Sequence, residues 1–129
     1  MSLDQLTSIL VAYRGAGVFN QYAQADERFD LPDAAAIRRR NLQCYLQAFA
    51  NARFLLIGEA AGYRGCRFSG IPFTSEAQLV GSQPLEWAVG LHLARSSNAA
   101  TPWTERSAAV VWGALDGRRD CLLWNAFPW

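Results

Sequence analysis

The sequence predicts an α/β domain with a parallel sheet and flanking helices, and three observations predict it. Phe54 to Ile57 is a short continuous apolar run ending in Gly58, the pattern of a strand covered on both faces. Cys121 to Trp124 repeats that pattern and is followed by Asn125. Between them, Thr104 to Leu115 carries Ala108, Val111, Trp112 and Leu115 at helical spacing. Strand, helix and strand in that order make a right-handed crossover, which sets the two strands parallel.

The other elements follow from local signals. Leu3 to Tyr13 reads as a short amphipathic helix with Leu6, Ile9 and Leu10 on one face, stopped by Gly15 and Gly17. Phe19 to Leu31 is polar and irregular and reads as a surface arm. Pro32 and Asp33 are start signals for a second helix running to about Ala50, with Leu42, Tyr45, Leu46 and Phe49 at helical spacing. The run Arg38–Arg39–Arg40 reads as a solvated face, with a phosphate-facing patch as the alternative. Gly58 to Pro72 reads as a long loop, and Thr74–Ser75–Glu76 as the capped start of a short helix. Gly81 to Pro102 carries no clear pattern. The expected organisation is one domain over residues 1–129, with residues 1–32 as an N-terminal helix and arm.

Composition narrows the class. The chain has 129 residues, 51% of them hydrophobic, enough for one core and too apolar for disorder. The net charge of +1 gives no overall field that would announce nucleic acid. All 12 basic side chains are Arg, a set suited to planar contacts with phosphate but equally a matter of base composition. The 3 cysteines, without CxxC spacing, argue against a disulfide framework and against a zinc or iron–sulfur site. A reducing cytoplasm is the expected compartment. No apolar run approaches a membrane span, and no metal or cofactor is expected.

Chemistry concentrates in two places. "GEAAGYRGCRFSGIPF" spends glycines, arginines and a lone acid directly after the first strand, and "NAFPW" follows the second. In open parallel sheets ligands bind beyond the carboxyl ends of the strands, so both clusters are expected at one rim. Each residue also has a plain reading. Glu59 serves as a cap, Asn125 as a turn residue, Phe68 as core, and Arg64 and Arg67 are solvated or on phosphate. Neither GxxxxGK[ST] nor GxGxxG is present, which disfavours a nucleotide-binding domain of those kinds.

"GEAAGYRGCRFSGIPFTSE" followed by "LLWNAFPW" resembles the uracil-DNA glycosylase superfamily over about Phe54 to Trp129. The first motif is similar to the G-E-A-P-G form of the water-activating loop, and the second to the strand-end Asn that reads uracil. The resemblance implies a three-layer α/β/α fold and a DNA repair enzyme that hydrolyses the N-glycosidic bond of uracil in DNA, without a cofactor. Gly58, Ala60 and Gly62 would bring backbone to the deoxyribose, and Glu59 would position the water. Phe73 would stack on the extruded base and Asn125 would read it. Tyr63 would stand near the pyrimidine 5-position, and Arg64 and Arg67 near DNA phosphates. This chain has Ala60 where the best-known branch has Asp, Ala61 where the motif has Pro, and Gly62 where a branch has Tyr. The family continues past the Asn strand to a His motif, and His92 does not match it. The chain is therefore expected to be an incomplete, N-terminal part of that fold. Its first strand would keep an unpaired edge that invites self-association. The alternative is a fragment or module that binds bases or DNA without hydrolysis.

Overall fold

The computed structural model describes residues Met1–Trp129, and its first helix, α1 (Leu3–Ala12), starts on a capping box between Ser2 and Gln5. The end of α1 is finished by side chains. Asn20 Nδ2 donates to Leu10 O at 2.7 Å and Tyr13 O at 3.1 Å, and Trp129 Nε1 donates to Leu10 O at 2.9 Å. These bonds satisfy carbonyls that a helix end leaves open.

Those contacts already correct one expectation. The Phe19–Leu31 segment is not a surface arm, because Asn20, Gln21, Tyr22 and Asp30 are buried. Its polar side chains serve buried backbone: Gln21 Nε2 donates to Pro128 O at 2.6 Å, and the Tyr22 hydroxyl to Gly70 O at 3.0 Å. A polar segment can lie inside when each polar group finds a partner.

Helix α2 (Ala34–Ala48) buries Leu42 and Tyr45 as the spacing predicts, and Ile37 with them, although the Asp33 side chain makes no cap bond. The arginine run is a solvated face only at Arg40, and Arg38 departs from that reading most. Its side chain is fully buried and ion-paired to Asp30, and it donates to Ser96 Oγ at 2.9 Å and to the carbonyls of Gln21 and Gln24. Arg67 reaches both oxygens of the same carboxylate at 3.0 Å. Burial pushes the Asp30 carboxyl upward, but bonds from Arg67 and Arg38 outweigh it and hold its pKa below the usual range.

The sheet has two strands, β1 (Phe54–Ala60) and β2 (Cys121–Phe127), paired in parallel. The register sets Phe54 beside Cys121 and Gly58 beside Asn125. Their flanks differ. On β2, Cys121, Leu123 and Asn125 are buried. The Tyr45 hydroxyl also accepts from Leu123 N at 2.7 Å and donates to Leu123 O at 3.2 Å, closing the outer edge of that strand. On β1, Phe54, Leu55, Leu56 and Ile57 are 53%, 56%, 40% and 59% exposed. The apolar run expected to be covered on both faces is open on both, because β2 is the only element in extensive contact with β1 and it covers an edge rather than a face. Gly58, Glu59 and Ala60 belong to the strand rather than to a loop.

Three further helices lie between the strands: α3 (Cys66–Ser69), α4 (Glu76–Val80) and α5 (Arg106–Leu115). Ser75 opens α4 with a capping box to Gln78. The unpatterned stretch before Pro102 is fixed by one buried carboxylate. Glu76 accepts from Ser96 N at 2.8 Å, Ser97 N at 2.9 Å, Ser97 Oγ at 2.7 Å and Trp103 N at 3.2 Å. The core gathers Leu42, Tyr45, Phe49, Trp87, Trp112 and Leu123. No helix is long and apolar enough to cross a membrane.

Candidate functional site

The strand ends bring three of the expected residues together. Asn125 and Gly58 are neighbours across the sheet, so they share a face. A Cβ on Gly58 would collide with the Phe73 ring and stand 3.1 Å from Asn125 Oδ1. Only the missing side chain at Gly58 lets ring and carboxamide approach the strand.

Both partners are held unusually. Phe73 sits at φ 54, a left-handed conformation that bulky residues avoid. The flanking turn imposes it: Ser69 Oγ donates to Thr74 O at 2.6 Å and accepts from Ile71 N at 2.9 Å. Trp112 Nε1 donates to Thr74 Oγ1 at 3.1 Å. Such strain costs about 1–3 kcal/mol and tends to collect at functional sites. Asn125 is 1% exposed, and its Nδ2 has no acceptor. An orphaned buried donor costs about 1–3 kcal/mol, so folding alone gives no reason for an amide here.

Glu59 does not join them. It follows Gly58 in the strand, and strand side chains alternate, so it points to the opposite face and is exposed. The expectation that acid, ring and carboxamide enclose one space is corrected on that point. Ala60 is exposed at the strand end. Tyr63 is 74% exposed and lines a groove beyond the strand ends with Arg64 and Arg67. Arg67 is committed to Asp30, whereas Arg64 is exposed and has no carboxylate partner.

A carboxylate that the sequence did not single out lies against the loop instead. Glu105 packs over Gly62 and Gly65, where a Cβ on either would collide with it, and the carbonyl of Thr74 borders the same spot. Burial raises its pKa, partly offset by a hydrogen bond with Ser107. Glu105 stands just before α5 and reads in sequence as an ordinary acid at a helix start. The only local hint was the pair of glycines opposite it, three positions apart. Cys66, at the start of α3, is buried, and burial pushes its thiol up to about 12, away from the thiolate that nucleophilic work needs. No group of three or more His, Cys, Asp or Glu gathers where a metal could be held.

Comparison with family models, with curated proteins and with solved structures finds no match to this chain.

Proposed function

We propose that this protein binds an extruded uracil at Asn125 and Phe73 and hydrolyses its N-glycosidic bond in DNA, as a uracil-DNA glycosylase does. The observation that carries the reading is the buried Asn125 carboxamide, unpaired at Nδ2, beside a strained aromatic residue and a glycine that makes room. Uracil offers an acceptor at O4 and a donor at N3, which an amide held in one orientation answers with Nδ2 and Oδ1. Cytosine reverses both groups and would leave buried polar atoms unpaired, at about 1–3 kcal/mol each. Stacking on Phe73 adds about 1–3 kcal/mol whatever the base. The base must leave the helical stack to reach such a site.

In the hydrolysis, water oxygen bonds to C1′ as the C1′–N1 bond breaks and its electron pair departs on uracil. The water proton needs a carboxylate. We assign that role to Glu105 rather than Glu59, because Glu105 packs on the loop beyond β1 whereas Glu59 points to the opposite face of the strand. The apolar exposed faces of β1 support the associated three-layer α/β/α arrangement, in which helices cover such faces. The 3 free cysteines accord with a cytoplasmic setting.

A second reading, base binding without hydrolysis, is favoured by the orientation of Glu59. Release of uracil from a labelled single-stranded oligonucleotide separates the two. The enzyme reading expects release that falls at least a hundredfold in Asn125→Ala and Glu105→Gln and is unchanged in Glu59→Gln. Uracil binding that needs Asn125, without release, would establish the second reading. Neither binding nor release would end both.

A further inference from the structure

We propose that the groove between Phe19, Phe29, Tyr63, Arg64, Phe68 and Trp103 binds a nucleotide unit of single-stranded DNA, its base on the aromatic wall and its phosphate on Arg64. The proposal deepens the uracil reading and rests on it for the identity of the strand; the groove itself is a separate observation. Its volume is about 540 Å³, within the range of small-molecule sites.

The wall is flat and braced. The Phe68 and Trp103 rings stack 4.9 Å apart with 6° between their planes. Phe68 is buried, with Trp103 stacked on it and the Arg67 guanidinium 4.6 Å from its ring centre, so the half-buried Trp103 offers the surface for a base and Phe68 braces it. Phe19 and Phe29 flank it from the N-terminal segment. A base can stack on such a surface irrespective of its identity.

The charges assign the phosphate. Four charged residues line the groove: Asp26, Arg28, Arg64 and Arg67. Arg28 and Asp26 neutralise each other at 2.7 Å. Arg67 is bonded to Asp30, a carboxylate that Arg38 also engages, so its charge is committed inside the fold. Arg64 alone has no carboxylate within ion-pair distance, and its guanidinium lies 5.5 Å from the Tyr63 ring centre and 5.9 Å from that of Trp103. Glu105 is the other acid nearby, and it packs on Gly62 and Gly65 rather than lining the groove. A free planar cation held against an aromatic wall fits an anion joined to a flat ring. A neutral apolar ligand would leave Arg64 unused, and an acidic peptide would leave the wall unused.

The groove shares no lining residue with Gly58, Phe73 and Asn125, yet Tyr63 and Arg64 stand on the loop that leaves β1 just beyond Gly58. A strand whose base is held at Asn125, as proposed above, would lay a neighbouring nucleotide there. Double-stranded DNA keeps its bases stacked on one another and cannot use the wall.

The test is binding of a fluorescent oligothymidylate, which contains no uracil, by anisotropy across a salt series. The expected result is quenching of tryptophan emission, affinity about tenfold lower in Arg64→Ala, and a salt slope reduced by about 0.7 in that variant. Arg40→Ala, which removes an exposed arginine elsewhere, controls for net charge and should bind as wild type does. The same oligothymidylate paired with oligoadenylate should bind several-fold more weakly. Equal affinity of Arg64→Ala and wild type, or equal binding of single strand and duplex, would overturn the groove proposal. Groove binding without any uracil release would count against the glycosylase reading alone.

Discussion

Asn125 and Gly58 lie side by side on the two strands, and the space a Gly58 side chain would fill is taken by the Phe73 ring, with Asn125 Oδ1 at its border. The relationship joins residues from three distant parts of the chain. It leaves a buried amide donor unpaired.

The first prediction separates stability from function at that amide. Asn125→Leu keeps the branched shape of the side chain and removes the orphaned donor. It should leave stability unchanged or raise it by about 1–2 kcal/mol, while uracil binding is lost. Urea denaturation with a parallel binding assay checks both. A large loss of stability would mean that the amide has partners inside the fold.

Glu105 gives a pH dependence with a defined sign. Its folded pKa lies above its unfolded value, with burial as the main cause. The protonated form therefore favours the fold, and its contribution is fully present below the ordinary value of 4.5. It is lost as pH rises through the folded pKa. Glu105→Gln should therefore melt above wild type at neutral pH, with the difference closing towards about pH 4. Melting curves of both proteins across that range check the sign. A constant difference, or a reversed one, would contradict it.

Glu76 should be costly to remove. Its carboxylate accepts from three backbone N–H groups and one hydroxyl, all from the segment Ser96–Trp103. Glu76→Ala leaves those donors without partners and should cost about 3 kcal/mol or more. Amide exchange around Ser96 and Ser97 should quicken in step with the loss seen by denaturation.

The open edge of β1 should make the chain self-associate. Antiparallel pairing of two β1 strands about Leu56 would set Arg53 opposite Glu59 at both ends, with apolar residues between them. Sedimentation should show mass rising with concentration. Leu56→Lys, which brings two like charges together at the centre, should restore a monomer. Mass independent of concentration in the wild type would contradict the pairing.

Elements that depend on local pattern were legible in the sequence. The capped start of α4 at Ser75, the apolar stripe of α2 and the parallel strand pair follow from periodicity, caps and connection length. Features that depend on long-range pairing were not. Nothing in the polar run Phe19–Leu31 announces that Asp30 accepts a buried guanidinium from Arg38. Continuous apolar sequence at β1 signals a strand made to be covered, but cannot say whether a neighbour is there to cover it. At the site, the approach of Gly58 to Asn125 follows from two strand ends at one rim. The opposite aim of Glu59 follows from a strand that runs two residues past Gly58, and the sequence marks no such extension. Glu105 was hidden because its contact is with glycines, which leave no pattern on the partner.

The central claim is that the Asn125 carboxamide reads a pyrimidine, and its side-chain NH2 resonances report this most directly. With ¹⁵N-labelled protein, titration of uridine-containing single-stranded DNA should shift the Asn125 Nδ2 signals, and deoxycytidine in the same sequence should not. Asn125 signals that ignore uridine, or that respond alike to uridine and cytidine, would contradict the account.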